Sequence, residues 1–330
     1  MAKRQTTETK VAHLKTLRHD PHSPAALTDL RTSLGDRSNY VVARAAEMVG
    51  EFEIKSLAPE LSAAFNRLTI DPSKTDPQCL AKTAIVEALV RIEQDDHDFF
   101  LQGMQYRQPE PVWGGEQDSA AQLRGTCALG LAQSSCGDAM DVLNQLADLL
   151  ADPEKPARVG AARAIAHFSR VQGVPLLRLK IRIGDEAADV MGECFAALLS
   201  LSAKDAIPLI AGFLRSGDSD LCLEAAAALG ESKEIEAFEA LKSCWENHYD
   251  PSFKKSLLLS MGLSRQPAAV EFLLSLVQAA APEIAADALA ALAPCRFHAP
   301  TREKIETAVR QNANANLHKI FEKMFTVDRT

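Results

Sequence analysis

Any chemistry in this chain would fall to its eight histidines, its seven cysteines and its carboxylates, and the spacing of each set is informative. The histidines stand at 13, 19, 22, 97, 167, 248, 298 and 318, with no H-x-x-x-H pair and no His-Glu dipeptide, the arrangements that place metal ligands on one helix face. His19 and His22 flank Asp20-Pro21 and, with His13, read as a solvated N-terminal group. No G-x-S-x-G elbow, phosphate-binding Walker loop or dinucleotide glycine fingerprint occurs. Asp95-Asp96 falls at a turn, where nothing in the sequence gives a reason for a shifted pKa. The residues therefore predict no catalytic, cofactor-binding or metal-binding set. The cysteines (79, 127, 136, 194, 222, 244, 295) lack any C-x-x-C pair, and several sit where a helix takes a small apolar residue, the pattern of reduced structural thiols.

Binding is better served. Trp113 lies in YRQPEPVWGGEQDS (106–119), where Pro109 and Pro111 restrict the backbone and Gly114-Gly115 supplies a sharp turn. The indole reads either as a partner anchor or as a lid folded back over the core. Trp245, at a helix end, reads as core or rim. Between Lys155 and Arg182 there are seven basic residues and no acid, whereas 183–250 holds 14 acids against 4 bases. Arg158, Arg163, Arg178 and Arg182 are the candidates for an acidic partner; solvated helix faces paired with neighbouring repeats are the plainer reading. Arg124 joins these candidates from a row of second-helix positions expected to line an inner wall.

The elements that carry these residues follow from composition and repetition. In 330 residues, Ala (53) and Leu (40) dominate and aromatics are 5%, which favours helices packed through small contacts over sheets. The net charge of −8 gives no overall pull toward nucleic acid or anionic membranes. MAKRQTTETK lacks the apolar core of a signal peptide, and no uninterrupted apolar run approaches a spanning length, so a cytoplasmic protein is expected. VPLLRLKIRIGD (174–185) aligns with IPLIAGFLRSGD (207–218) at an offset of 33; the first copy alone alternates like a strand, but the second reads as a helix, and the repeat decides for helix. A longer helix follows each, ending in a small-small-x-apolar-Gly pattern. Its anchors fall at Gly50, Val90, Gly130, Ala166, Leu199, Gly230, Gly262 and Ala293, spaced 40, 40, 36, 33, 31, 32 and 31 residues apart. New helices are expected from Pro59, Phe99, Asp141, Pro175, Pro208, Glu239, Glu271 and Arg302.

A period of 30–40 made of two helices implies an all-α, right-handed α-solenoid of about eight pairs with terminal capping helices. Residues 1–8 read as a flexible tail, 9–23 as a capping helix started by Thr9 plus linker, 24–300 as repeats and 301–330 as C-terminal caps, the last three residues being mobile. The pattern apolar-Pro-x-Leu, Gly-Asp and small-small-x-apolar-Gly resembles the HEAT-repeat family, in particular its short, phycobilisome-lyase-like variety, over residues 24–311. The family's arginine is mostly replaced, by Val42, Lys82, Gln122, Met191, Cys222, Lys254 and Ala285, while Arg158 and Val159 stand in reverse order.

The resemblance implies a scaffold that binds another protein, with bilin-lyase-like enzymes or alkylpurine DNA glycosylases as the alternative. Overall acidity and two tryptophans argue against the glycosylase, and the missing His-Glu pairs against the family's di-iron hydroxylases. The insertions 69–78 and 106–119 fall on one edge, where they form a binding lip or tolerated drift. The last three second helices (LCLEAAAALG, KKSLLLSMGL, IAADALAALA) are apolar nearly all round, which implies burial on both sides or a groove for a partner helix.

Overall fold

A computed structural model describes residues 6–168, 171–312 and 314–325. The chain divides into two compact units, Met1–Gly173 and Val174–Thr330. In the first, helix α1 (Thr7–Thr16) precedes four pairs: α2 (Pro24–Leu34) with α3 (Asn39–Glu51), α4 (Ala58–Leu68) with α6 (Leu80–Arg91), α7 (His97–Gln105) with α8 (Ala121–Gln133), and α9 (Ala139–Leu150) with α10 (Lys155–His167). The short helix α5 (Pro72–Thr75) lies inside the second pair. A hairpin, β1 (Pro109–Val112) and β2 (Gly115–Asp118), lies inside the third.

The second unit holds α11 (Val174–Ile183), α12 (Ala188–Ala211), α13 (Ser219–Glu231), α14 (Ile235–Asn247), α15 (Pro251–Ser264), α16 (Pro267–Ala279), α17 (Pro282–Ala291), α18 (Ala299–Gln311) and α19 (Ala315–Phe325). Helix α12 breaks at Ser202 (φ −157°, ψ 64°), so its two halves serve successive pairs. The stretch Ala188–Arg215 reaches a mean hydropathy of 1.5 over 18 residues, although Glu193, Lys204 and Asp205 interrupt it.

Within each unit every second helix packs on the second helix of the next pair: α3 on α6, α6 on α8 and α8 on α10 in one, α12 on α13, α13 on α15, α15 on α17 and α17 on α19 in the other. Each unit is thus an all-α solenoid. The anchor glycines serve these crossings. A Cβ at Gly50 would touch Ala88 Cα at 3.0 Å, and one at Gly230 or Gly262 would collide with the Ser260 or Ala291 carbonyl. The helices end within two residues of these anchors, at Glu51, Arg91, Glu231 and Ser264, and the left-handed Glu53, Glu93, Lys233 and Arg265 (φ 50–57°) then turn the chain away.

An aspartate recurs at the turn inside most pairs; the α16–α17 turn, capped by Ala281, has none. Asp36, Asp118, Asp152, Asp185, Asp218 and Asp250 each accept the amide two residues on, at 2.8–3.1 Å, and so start the second helix; Asp76 does the same for Ala81 and Lys82. Asn312 takes this place between α18 and α19, accepting from Asn314, so the segment read as C-terminal caps continues the pairing.

Several boundaries differ from expectation. Helix α1 is capped by Thr6 rather than Thr9, which brings Thr7 and Glu8 out of the expected tail. First helices start earlier than Glu239, Glu271 and Arg302, at Ile235, Pro267 and Ala299, and Pro208 sits inside α12. Residues 1–5 and 326–330, and with them the expected mobile C-terminus, lie outside the described residues, as does Arg170 of the basic run.

Candidate functional site

The third pair carries the one hairpin among the described residues, and the capping aspartates beneath it have acquired buried cations. Six residues after Asp76, Asp118 and Asp152 stand Lys82, Arg124 and Arg158, each on the first turns of a second helix and each pointing back to its turn. Lys82 Nζ is fully buried, 2.9 Å from Asp76 Oδ2 and 3.2 Å from the Leu68 carbonyl, with the Tyr106 ring 5.7 Å away. Arg124, also fully buried, forms a two-pronged pair with Asp152 (Nε 3.0 Å, Nη2 2.9 Å) and reaches Asp118 Oδ2 at 2.5 Å and the Tyr106 carbonyl at 3.1 Å. Arg158 donates to the carbonyls of Asp152 (3.0 Å) and Pro153 (2.8 Å), and Arg107 adds a third cation to Asp152 at 2.9 Å.

Burial alone would raise the Asp118 and Asp152 carboxyls. Against it, the amides of Gln108 and Ala120 with the Arg124 guanidinium hold Asp118 below the usual carboxylate range. Arg124, the Glu154 amide and Arg107 do the same for Asp152. Burial, with the nearby Cys79, Asp76, Asp118 and Glu110, pushes the Tyr106 phenol up to about 12, and burial pushes Cys79 to about 12. Both stay neutral, which suits a structural role.

This charge chain holds the hairpin at its base. Gln108 is buried with every polar group bonded: its amide to Asp118 Oδ1 (3.0 Å), its Nε2 to the Asp76 carbonyl (2.8 Å) and Glu110 Oε1 (2.7 Å), its Oε1 from the Tyr106 hydroxyl (3.1 Å) and its carbonyl from the Ser119 amide (3.0 Å). Glu110 in turn accepts the Gln78 amide at 2.9 Å through both oxygens. Gln78 and Cys79 are both left-handed (φ 60° and 55°), a strained pair that Glu110 and Asp76 hold in place. The insertions 69–78 and 106–119 are therefore one joined structure.

At the far end the register pairs Val112 with Gly115 across the Trp113-Gly114 turn, Gly114 taking φ 97°. Pro109 and Pro111 occupy the positions whose amides would face outward, so the outer edge of β1 offers no donors to a foreign strand. Trp113 is completely exposed (104%), with Val112 (46%) beside it. The core-lid reading of this tryptophan is overturned: a two-stranded hairpin carries the ring away from the helices.

The other sequence candidates scatter. Arg124 and Arg158 are corrected from partner-facing to buried, because each neutralises a turn. Arg163 is exposed on α10 in the first unit; Arg182 is exposed and Arg178 half-buried on α11 in the second, Arg178 donating to the Asp205 carbonyl at 3.4 Å. Lys180 of the same basic run is bound to Asp185 at 2.7 Å, so the run is not one free cationic surface. Trp245 is half-buried against Phe272, with Lys254 4.2 Å above its ring. Six cysteines are buried and Cys136 is exposed. Asp95, expected to be unperturbed, is held low by the hydroxyls of Ser135 and Ser134. Among the described residues no three His, Cys, Asp or Glu side chains gather as a metal site requires.

Two solved structures align over most of the chain: human deoxyhypusine hydroxylase in complex with glycerol (18% identity, 79% of this chain and 91% of that one, TM-score 0.31) and the CpcE–CpcF complex of phycocyanin lyase from Nostoc sp. PCC7120 (17%, 93% and 97%, TM-score 0.37). These similarities transfer no activity. No curated protein matches. Residues 208–293 match the family model for HEAT repeats, and helical pairs of the same kind recur on both sides of that segment.

Proposed function

We propose that this protein is a non-enzymatic scaffold that holds another protein through the hairpin edge of its first unit. The observation that carries the reading is a completely exposed Trp113 on a hairpin whose base is tied to a buried charge chain. A large ring held out in water costs free energy unless it is covered by a partner, and a pre-ordered hairpin spares the complex the entropy of ordering a loop. Ile70 (70% exposed), in the joined insertion, adds apolar area. The partner is a protein rather than nucleic acid, since the hairpin carries Glu110, Glu116 and Asp118 and the chain as a whole is acidic. Seven free cysteines fit a reducing, cytoplasmic setting.

The test is capture of partners from the native cell by the wild-type chain and by Trp113→Ala, identified by mass spectrometry, followed by affinity and melting measurements on the complex found. The expected result is a partner lost from the variant, with about 2 kcal/mol of binding removed and the melting temperature of the free protein nearly unchanged. A melting loss of about 3 kcal/mol with unchanged affinity of the folded fraction would contradict it.

A further inference from the structure

The second unit presents a different surface. On its second helices the outward positions are Asp220, Leu223, Glu224, Ala227 and Glu231 on α13, Ser256, Leu259 and Leu263 on α15, and Ala286, Asp287 and Ala290 on α17. Three of these are leucines about two-fifths exposed, Leu223 (42%), Leu259 (41%) and Leu263 (41%), and the half-buried Ala227 and Ala290 flank them on neighbouring helices. Carboxylates edge the strip. Glu224 lies across Gly192 of α12, so closely that a Cβ there would collide with its Oε2, and Asp220 and Glu231 stand exposed one turn before and two turns after it. Burial, and then the charges of Asp189, Glu193, Asp220 and Glu231, raise the Glu224 carboxyl, a mark of crowded negative charge. The one base on the α15 part of this face, Lys255, is already paired with Asp287 at 3.1 Å.

We propose that this face docks a cationic amphipathic helix of a partner protein, its apolar stripe on Leu223, Leu259 and Leu263 and its lysines or arginines over Asp220, Glu224 and Glu231. Charge selects the sign of the partner, and the apolar strip selects its amphipathicity. Secondary structure is selected by hydrogen bonding. An extended segment needs donors and acceptors for its backbone, whereas the strip itself, Leu223, Ala227, Leu259, Leu263 and Ala290, has no polar side chain to supply them; a helix satisfies its own backbone. Three adjacent helices, each about 10 Å wide and roughly 8–10 Å apart, also give a track of about 30 Å, the length of about 20 helical residues. The inference stands on the second unit alone and does not require the hairpin.

The probe is a fluorescein-labelled synthetic peptide of about 20 residues, with Leu at i, i+3, i+4 and i+7 and Lys elsewhere, titrated with the full chain at low and high salt. Its control has the same composition with the stripe scrambled. Saturable one-to-one binding of the first peptide is expected, about tenfold tighter than the control. Glu224→Gln with Asp220→Asn should weaken it about tenfold and flatten its salt dependence. Leu259→Ser with Leu263→Ser should weaken it similarly at every salt concentration, and Trp113→Ala should leave it unchanged. Equal binding of the scrambled peptide, absence of saturable binding, or full affinity in both double variants with unaltered melting would overturn the proposal. Loss of binding in Trp113→Ala alone would overturn it too, by moving the peptide to the hairpin. Failure of native-partner capture at Trp113 bears only on the hairpin reading.

Discussion

The two units stack helices by the same rule and treat their capping aspartates differently. In the first, Asp36 pairs with Lys10, Asp76 with Lys82, and Asp118 and Asp152 with Arg124. In the second, Lys180 answers Asp185, but among the described residues no Lys or Arg pairs with the carboxylate of Asp218 or Asp250, which start their helices. A cap alone is therefore enough to stack pairs. The buried cations are concentrated where a hairpin has been inserted and must be aimed. Because a buried ion pair is often no more stabilising than an apolar replacement, its gain here is geometric: it fixes where 106–119 leaves the solenoid.

The outward faces of the second helices differ in the same sense. In the first unit Arg44 bridges Glu47 at 2.6 Å and stacks on Tyr40, Arg18 pairs with Glu51, and the charge of Arg91 opposes that of Glu87. In the second the charge is predominantly acidic around an apolar strip.

Breaking the first unit's chain should give the largest effect. Arg124→Met leaves Asp118 and Asp152 without their shared cation and should cost about 3–5 kcal/mol, with Asp118→Asn and Asp152→Asn restoring part of it. Hydrogen exchange should show protection lost over 106–133 and kept over 219–291; equal loss in both regions would erase the distinction between them.

Next is a close helix crossing. Gly125 and Gly160 bring α8 and α10 so close that a Cβ on Gly160 would strike the Gly125 backbone. Gly160→Val should cost about 1–3 kcal/mol. Gly212, with open space around its would-be Cβ, should accept Ala with a change of less than about 1 kcal/mol. Thermal melting of the two variants checks both.

Acid should separate the units by sign. Asp118 and Asp152 have folded-state pKa values below their unfolded ones, so their contribution is complete above about pH 4 and is lost as pH falls through the lowered values. Glu224 is raised above 4.5 by burial and by its acidic neighbours, so its ionisation works against folding, and the second unit should gain stability as pH drops from neutral through that raised value. Glu87, raised by burial and by Glu47, gives the first unit a gain of the same sign, so the contrast rests on the later loss at Asp118 and Asp152. Hydrogen exchange at neutral pH, near pH 5 and below pH 4 should show the second unit tightening first and the first unit loosening last. The smallest effect belongs to Trp113→Ala, which should change the stability of the free chain by less than about 0.5 kcal/mol.

The repeat was legible in the sequence because each pair must bury one face on its neighbours, and that constraint recurs every 30–40 residues as small residues at fixed places. The second role of the anchor glycines was not: Gly50 and Gly230 stand at helix ends, one residue before Glu51 and Glu231, and they also mark crossings with the next helix, which depend on contacts remote in sequence. The site was half legible. Gly114-Gly115 and the two prolines announced a rigid turn under Trp113, but whether the ring faced water depended on contacts remote in sequence, through Gln108 and Asp118. Arg124 and Arg158 were misplaced because a surface cation and a buried one are spelled alike. The signal that finds them is the distance from the turn: a base six residues after a capping aspartate, as at Asp76–Lys82, Asp118–Arg124 and Asp152–Arg158.

The central claim, that a buried charge chain holds one tryptophan rigidly in water, is tested most directly by fluorescence of Trp113 in a Trp245→Phe background. Trp245 suits replacement because its Nε1 is buried with no hydrogen-bond partner. Acrylamide quenching and time-resolved anisotropy of the remaining indole are measured in this chain and in its Arg124→Met derivative. The account predicts quenching close to that of free indole, with anisotropy that decays with the tumbling of the folded protein and acquires a fast local component when Arg124 is removed. A shielded indole, or a fast component already present with Arg124 intact, would contradict it.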